Sequence, residues 1–157
     1  MATEKKVQRG EFITFDLGAT FRGYAGDLTR TVAMGTVSAK QREVYELVRE
    51  AQERGIEAVR AGVRAADVDA AARQFFAEAG YGDYFVHSLG HGVGLNVHEA
   101  PRIAPGQDLV LEPGMVITIE PGLYISDWGG VRIEDTVLVK EHGCEILTPV
   151  TKNLVVV

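Results

Sequence analysis

A chain of 157 residues, 46% hydrophobic and 24% charged, has the composition of one globular domain with a core of its own. Its formal charge of −6 and the lack of any basic run exclude a general nucleic-acid binder. Apolar stretches are strand-sized, too short for a membrane span; the start MATEKK lacks a signal-peptide core, and the single Cys144 fits a reducing, cytoplasmic compartment.

Residues 10–35, GEFITFDLGATFRGYAGDLTRTVAMG, read as strands broken by glycine. Alternation puts Phe12, Thr14 and Asp16 on one side of the first strand and Ile13, Phe15 and Leu17 on the other. Asp27, Thr29 and Thr31 share a face of the next. A helix is predicted from Ser38, where Ser38 and Gln41 have capping-box spacing, with Val44, Leu47, Val48 and Ala51 as its inner stripe and Gly62 closing it. A second helix is predicted over about residues 66–79, with Val68, Ala71, Ala72, Phe75 and Phe76 inward and Gly80 as its cap. Residues 84–101, YFVHSLGHGVGLNVHEAP, read as a glycine-rich loop region carrying three histidines. A turn at Glu112-Pro113-Gly114 leads into the strand MVITIE (115–120), ended by Pro121 and Gly122. After a turn near residues 127–130, the strand VRIEDTVLV (131–139) puts Arg132, Glu134 and Thr136 on one face, and NLVVV (153–157) reads as a closing strand. Asp16 and Asp27 echo Glu120 and Glu134, as two hairpins each carrying one acid per strand. Such hairpins could bring four carboxylates together across a pseudo-twofold axis.

A strand aspartate taken alone is usually a turn or edge residue. Asp16 and Glu120, however, interrupt apolar strands, where an unpaired carboxylate is expensive to bury. Several carboxylates on one sheet face repel each other unless protonated or bound to cations, and divalent metals resolve both difficulties. His142, beside Gly143 in a turn, is an ordinary surface histidine, and singly His87 and His98 would be too. Together, His87, His91 and His98 at spacings of four and seven suggest a division between ligation and acid–base work. Glycines on both sides of His91 permit close backbone approach.

Four segments, FDLGATFRGYAGDLTRT, HSLGHGVGLNVHEAP, MVITIEPGLY and GVRIEDTVLV, resemble the pita-bread metallopeptidases. Within that family they look most like the proline-specific branch of prolidase (Xaa-Pro dipeptidase) and Xaa-Pro aminopeptidase. The resemblance runs from about Gly10 to the end. It implies an α+β fold, a curved antiparallel-rich sheet backed by helices, as a single metal-binding catalytic domain over residues 1–157 with its first half incomplete. It implies two divalent ions held by Asp16, Asp27, His91, Glu120 and Glu134, with Asp27 and Glu134 shared between them. Mn2+ or Co2+ suits so carboxylate-rich a set best, with Zn2+ or Fe2+ also compatible. His98 is expected at the substrate carbonyl, His87 in the substrate site, and Glu120 as a proton shuttle to the leaving amine. Arg132 is expected to orient a carboxylate of a ligand or substrate, with a plain salt bridge as the alternative.

The implied reaction is hydrolysis of the peptide bond N-terminal to proline, by a water made acidic between two metal ions. The implied partner is a peptide with proline at its second position. Methionine aminopeptidase is the alternative within enzymes, disfavoured by Arg132 and by the His87-to-His91 spacing. Creatine-type amidinohydrolases share the fold but not the five ligands. A non-catalytic protein-binding module of the same fold is the alternative outside enzymes, and an intact ligand set argues against it. Two helices, a strand, a further active-site histidine and a separate N-terminal domain precede the first strand in the family; on this reading the chain lacks them and Met1 is a new start. The two predicted helices are then expected to leave an apolar sheet face open at Ile13, Phe15, Ile117 and Ile119. That face predicts self-association, as a homo-oligomer or with a partner, and little turnover by the chain alone.

Overall fold

The computed structural model describes residues 4–157; the first three residues of the MATEKK start lie outside them. Strands β1 (Phe12–Phe21) and β2 (Tyr24–Ala33) form one long antiparallel hairpin. Its tight turn puts Arg22 and Gly23 both at positive φ, the geometry that matches the twist of the flanking strands. Helix α1 (Ala39–Ala58) starts as the sequence predicts: the Ser38 hydroxyl accepts from the Gln41 N–H, and the Gln41 side chain accepts from the Ser38 N–H. It ends at Ala58, short of the predicted Gly62, with Val59 as its cap. Helix α2 spans Ala65–Glu78.

Short strands β3 (Gly90–Gly92) and β4 (Glu99–Ile103) follow, so His91 stands on a strand and not in the expected loop. The strands β5 (Val116–Ile119), β6 (Gly122–Ile125), β7 (Gly129–Arg132), β8 (Asp135–Val139) and β9 (Cys144–Ile146) complete the chain. A five-stranded sheet runs in the order β4-β3-β5-β8-β9, while β6 and β7 pair separately. The expected continuous strand over 131–139 is therefore broken at Ile133 and Glu134. Pro121 has no N–H to offer across the hairpin, and the Glu134 N–H turns away to the Thr29 carbonyl at 3.1 Å. The tail at 153–157 makes a parallel bridge with the end of β2, through Ala33 and Val156, in place of a full strand.

The core lies between the helices and the five-stranded sheet. Val44, Val48 and Ala51 of α1 and Val68, Ala72 and Phe76 of α2 are buried against Leu89, Ile103, Ile117, Ile119 and Val137. Ala71 and Phe75, expected inward on α2, are only half-buried at its flank. The helices cover more of the sheet than expected: Ile117 and Ile119 are fully buried, the latter close against Gly55 of α1. Apolar side chains stay open on the first hairpin, where Phe15, Leu17, Phe21 and Tyr24 are exposed, and at scattered positions elsewhere such as Val86 and Leu95. The correction is physical: α1 crosses β5 closely because Gly55 has no side chain there.

Candidate metal centre

Three of the predicted residues meet in a buried cluster. Ligand atoms of Asp27, His91 and Glu134 lie within 4.8 Å of one another. They arrive from β2, from β3 and from the break before β8. Glu120, directly after β5, joins them with Oε1 3.2 Å from His91 Nε2; Asp27 Oδ2 is 3.7 Å from the same nitrogen. The glycines flanking His91 make this approach possible. A Cβ on Gly90 would lie 1.9 Å from the Thr118 carbonyl oxygen, and one on Gly92 would lie 2.2 Å from that of Ala100. The third strand is thus wedged between two backbones with room for no side chain except that of His91.

Hydrogen bonds fix how each group faces. Nδ1 of His91 is 3.1 Å from the Gly92 carbonyl. A carbonyl only accepts, so Nδ1 carries a proton, and Nε2, which faces the carboxylates, is the nitrogen that a metal ion would take. Thr29 donates to Glu134 Oε2 at 2.7 Å, and Thr118 donates to Glu120 Oε1 at 3.3 Å. Thr29 was legible as a same-face neighbour of Asp27, but the role of the two threonines as hydroxyl donors was not.

The electrostatics are those of a site short of positive charge. Burial, and then the neighbouring charge of Glu120, pushes the Glu134 carboxyl up to about 8; Asp27 and Asp16 add to the rise and the Thr29 bond opposes it. Burial also raises Asp27, with Asp16 and Glu120 adding and His91 opposing. Burial pulls His91 down, but Glu120, the Gly92 carbonyl and Asp27 outweigh it, leaving the imidazole above its ordinary value. Oxygen-rich donors with one imidazole, among them two acids that burial holds above their ordinary range, fit divalent metal ions.

Asp16 behaves differently from the other acids. Its side chain is 60% exposed, and Oδ2 pairs with Arg132 Nη2 at 2.5 Å. Arg132 reaches further, donating from Nε to Thr29 Oγ1 at 3.2 Å and from Nη1 to the Tyr124 hydroxyl at 2.9 Å. Tyr124 lies 3.2 Å from His87 Nε2, and His87 Nδ1 lies 2.8 Å from the Ser88 carbonyl. The polar chain Asp16–Arg132–Tyr124–His87 therefore lines one wall of a cavity of about 570 Å³. His98 lines the same cavity, with its exposed ring 4.0 Å from that of His91. Tyr124 and Arg102 are wall residues that the sequence reading missed. Alternation of GLYI after Gly122 would have placed Tyr124, whereas Arg102 faces His91 only through the β3–β4 register.

Residues 1–141 match the model of metallopeptidase family M24. An Xaa-Pro dipeptidase of Pyrococcus furiosus is 52% identical over 154 residues, covering 98% of this chain and 44% of that protein. The solved structure of an Xaa-Pro dipeptidase from Bacillus anthracis superposes with a TM-score of 0.97 at 48% identity, covering 99% of this chain and 44% of that one. An X-Pro aminopeptidase from Thermotoga maritima gives a TM-score of 0.97 at 47% identity, with coverage of 99% and 44%. The architecture is thus the α+β pita-bread fold. The chain spans less than half the length of the relatives it matches.

Proposed function

The chain belongs to metallopeptidase family M24, and on that premise we propose that it is the two-metal catalytic domain, residues 1–157, of a peptidase cleaving N-terminal to proline. The observation that carries the reading is the buried convergence of Asp27, His91 and Glu134, joined by Glu120, beside a cavity that His91 and Glu120 line. Asp27 and Glu134 would hold both ions, Asp16 would complete the shell of one, and His91 and Glu120 that of the other. With four carboxylates and one imidazole, manganese or cobalt suits the donors best, ahead of zinc or iron. Two such ions supply Lewis acidity and a water acidic enough to ionise near neutral pH.

The side chains around the cluster have separate tasks. Glu120 accepts a proton and returns it to the leaving amine. His98, beside His91 and open to the cavity, holds a proton at the substrate carbonyl. His87, held by Ser88 and Tyr124, lines the pocket for the substrate. Arg132 keeps Asp16 aimed at the cluster. Arg102 lines the same cavity on the strand opposite His91, where its charge suits the carboxylate of a peptide with proline in second place. No helix among the described residues is long and apolar enough to cross a membrane; a cytoplasmic setting and self-association through the open β1 face complete the proposal.

Metal analysis after loading with manganese or cobalt, followed by an assay on Xaa-Pro dipeptides, tests the reading. Two ions per chain are expected. Fewer than about one-half ion per folded chain would remove its basis.

A further inference from the structure

The two hairpins that supply the carboxylates do not meet through a β-ladder. Between β2 and the start of β8 the contact is made of one backbone bond, Glu134 N–H to the Thr29 carbonyl, and of threonine hydroxyls. Thr29 donates to Glu134 Oε2, Thr136 donates to the Asp27 carbonyl at 2.7 Å, and Thr31 exchanges bonds with the Arg132 backbone at 2.9 and 3.1 Å. A seam of this kind has few fixed spacings of its own. The distance between Asp27 and Glu134, one from each side, needs another restraint.

Arg30 stands behind that seam on the opposite face of β2, and it is buried. An arginine offers five N–H donors in a rigid plane, and all five are used. Nη1 donates to the Thr29 carbonyl at 2.9 Å and to the Glu134 carbonyl. Nη2 donates to Asp135 Oδ1 and to the Val150 carbonyl, both at 2.7 Å, and Nε donates to the Thr151 carbonyl at 3.0 Å. One guanidinium thus joins the residue two beyond Asp27, the carbonyl of Glu134 itself, and the C-terminal segment. Asp135, fully buried, is satisfied in turn by Gln52 and Lys152 at 3.0 Å and by Thr148 at 3.2 Å.

We propose that Arg30 and Asp135 form a positioning clamp that sets the separation of Asp27 and Glu134, making residues 148–152 a working part of the metal centre. Neither residue reaches the cluster with its own side chain; both act through the backbone of Thr29 and Glu134. The inference rests on the metal-binding reading above. If the clamp holds, a shorter or differently charged group there leaves the acids in place chemically but lets their spacing drift, which weakens metal binding by 10–100-fold on the scale seen for outer-shell changes.

The test is cobalt binding by the whole chain, wild type against Arg30→Lys and Asp135→Asn, followed by calorimetry and by the visible spectrum of bound cobalt. Lysine keeps the charge but has three donors, and asparagine keeps the shape but not the charge. Circular dichroism confines the measurement to samples whose metal-free form is folded. Expected are about 10-fold or greater weakening and an altered cobalt spectrum in either folded variant. A merely structural role would lower the unfolding midpoint yet leave affinity and spectrum of the folded protein at wild-type values, and that result overturns the clamp. If neither variant folds even at saturating cobalt, the pair holds the whole fold and the proposal also fails. If the wild type binds no cobalt, the metal-binding reading itself falls and the clamp with it.

Discussion

Without metal, the protein should lose stability as pH rises, and Glu134 sets the size of the effect. An unfolded glutamate ionises near 4.5, whereas burial and the charge of Glu120 hold the folded Glu134 carboxyl up to about 8. Between those values the folded state binds more protons than the unfolded one, so stability falls with rising pH. The rise from 4.5 to about 8 is roughly 3.5 pH units, which at ~1.36 kcal/mol each amounts to about 5 kcal/mol. That is a large part of the roughly 5–15 kcal/mol that keeps a domain folded. Asp27 is also raised, chiefly by burial, and adds in the same direction. His91, raised on balance, contributes stability that is fully present below its unfolded value and is lost as pH climbs through its folded one. Glu134→Gln keeps an acceptor for the Thr29 hydroxyl and removes the charge. Urea unfolding of chelator-treated protein from pH 4.5 to 8.5 should show wild type losing several kcal/mol and the variant losing much less. At pH 8 the metal-free variant should be the more stable protein. Manganese at a thousand times its Kd should restore about 4 kcal/mol to the wild type and little to the variant. Parallel pH profiles for the two proteins would refute the electrostatic account of the cluster.

Three further outcomes are expected. His98→Ala should leave metal content near that of the wild type and, in any active form, slow hydrolysis about 100-fold or more; loss of metal from the variant would mean that His98 is a ligand. Gly90→Ala should cost about 3 kcal/mol by overpacking and weaken metal binding, because its Cβ would push β3 and His91 away from Thr118; a fully loaded, equally stable variant would contradict this packing. Sedimentation of the wild type should show concentration-dependent association that Phe15→Lys with Leu17→Lys reduces, since both side chains are exposed on β1; a monomer at every concentration would rule out that face as an interface.

The parts of the molecule governed by short-range rules were legible from the residues alone. The Ser38 capping box, the buried face of Asp27, Thr29 and Thr31, and the need for glycine beside His91 all follow from period, capping chemistry and missing Cβ atoms, and each appears in the structure. The meeting of Asp27 with Glu134 was suggested by the two acid-bearing hairpins, but their grouping with His91 was legible only through the resemblance of whole motifs, because nothing in residue 91 taken singly says that it joins them. Arg30 stayed invisible for the same reason. Four of its five acceptors are backbone carbonyls, up to 121 positions away, and carbonyls have no sequence signature.

The broken strand shows why the site residues stand at irregular points of the sheet. A period-2 reading extends MVITIE and VRIEDTVLV as regular strands, since alternation carries no information about where a ladder changes partner. Bonded and non-bonded pairs alternate along an antiparallel ladder, and the register of β5 against β8 makes Glu120 and Glu134 a non-bonded pair whose N–H groups face outward. The Glu120 N–H goes to the Leu89 carbonyl at 2.8 Å, tying β5 to the histidine segment, and the Glu134 N–H goes to Thr29, tying β8 to the first hairpin. Each acid is thus anchored by its own backbone to the element that carries the next member of the cluster. Shifted by one residue, the same register would turn both N–H groups inward, into the hairpin, and leave the acids to reach the other elements through their side chains alone. The register of β5 against β8 is therefore part of how four distant segments come to share one site.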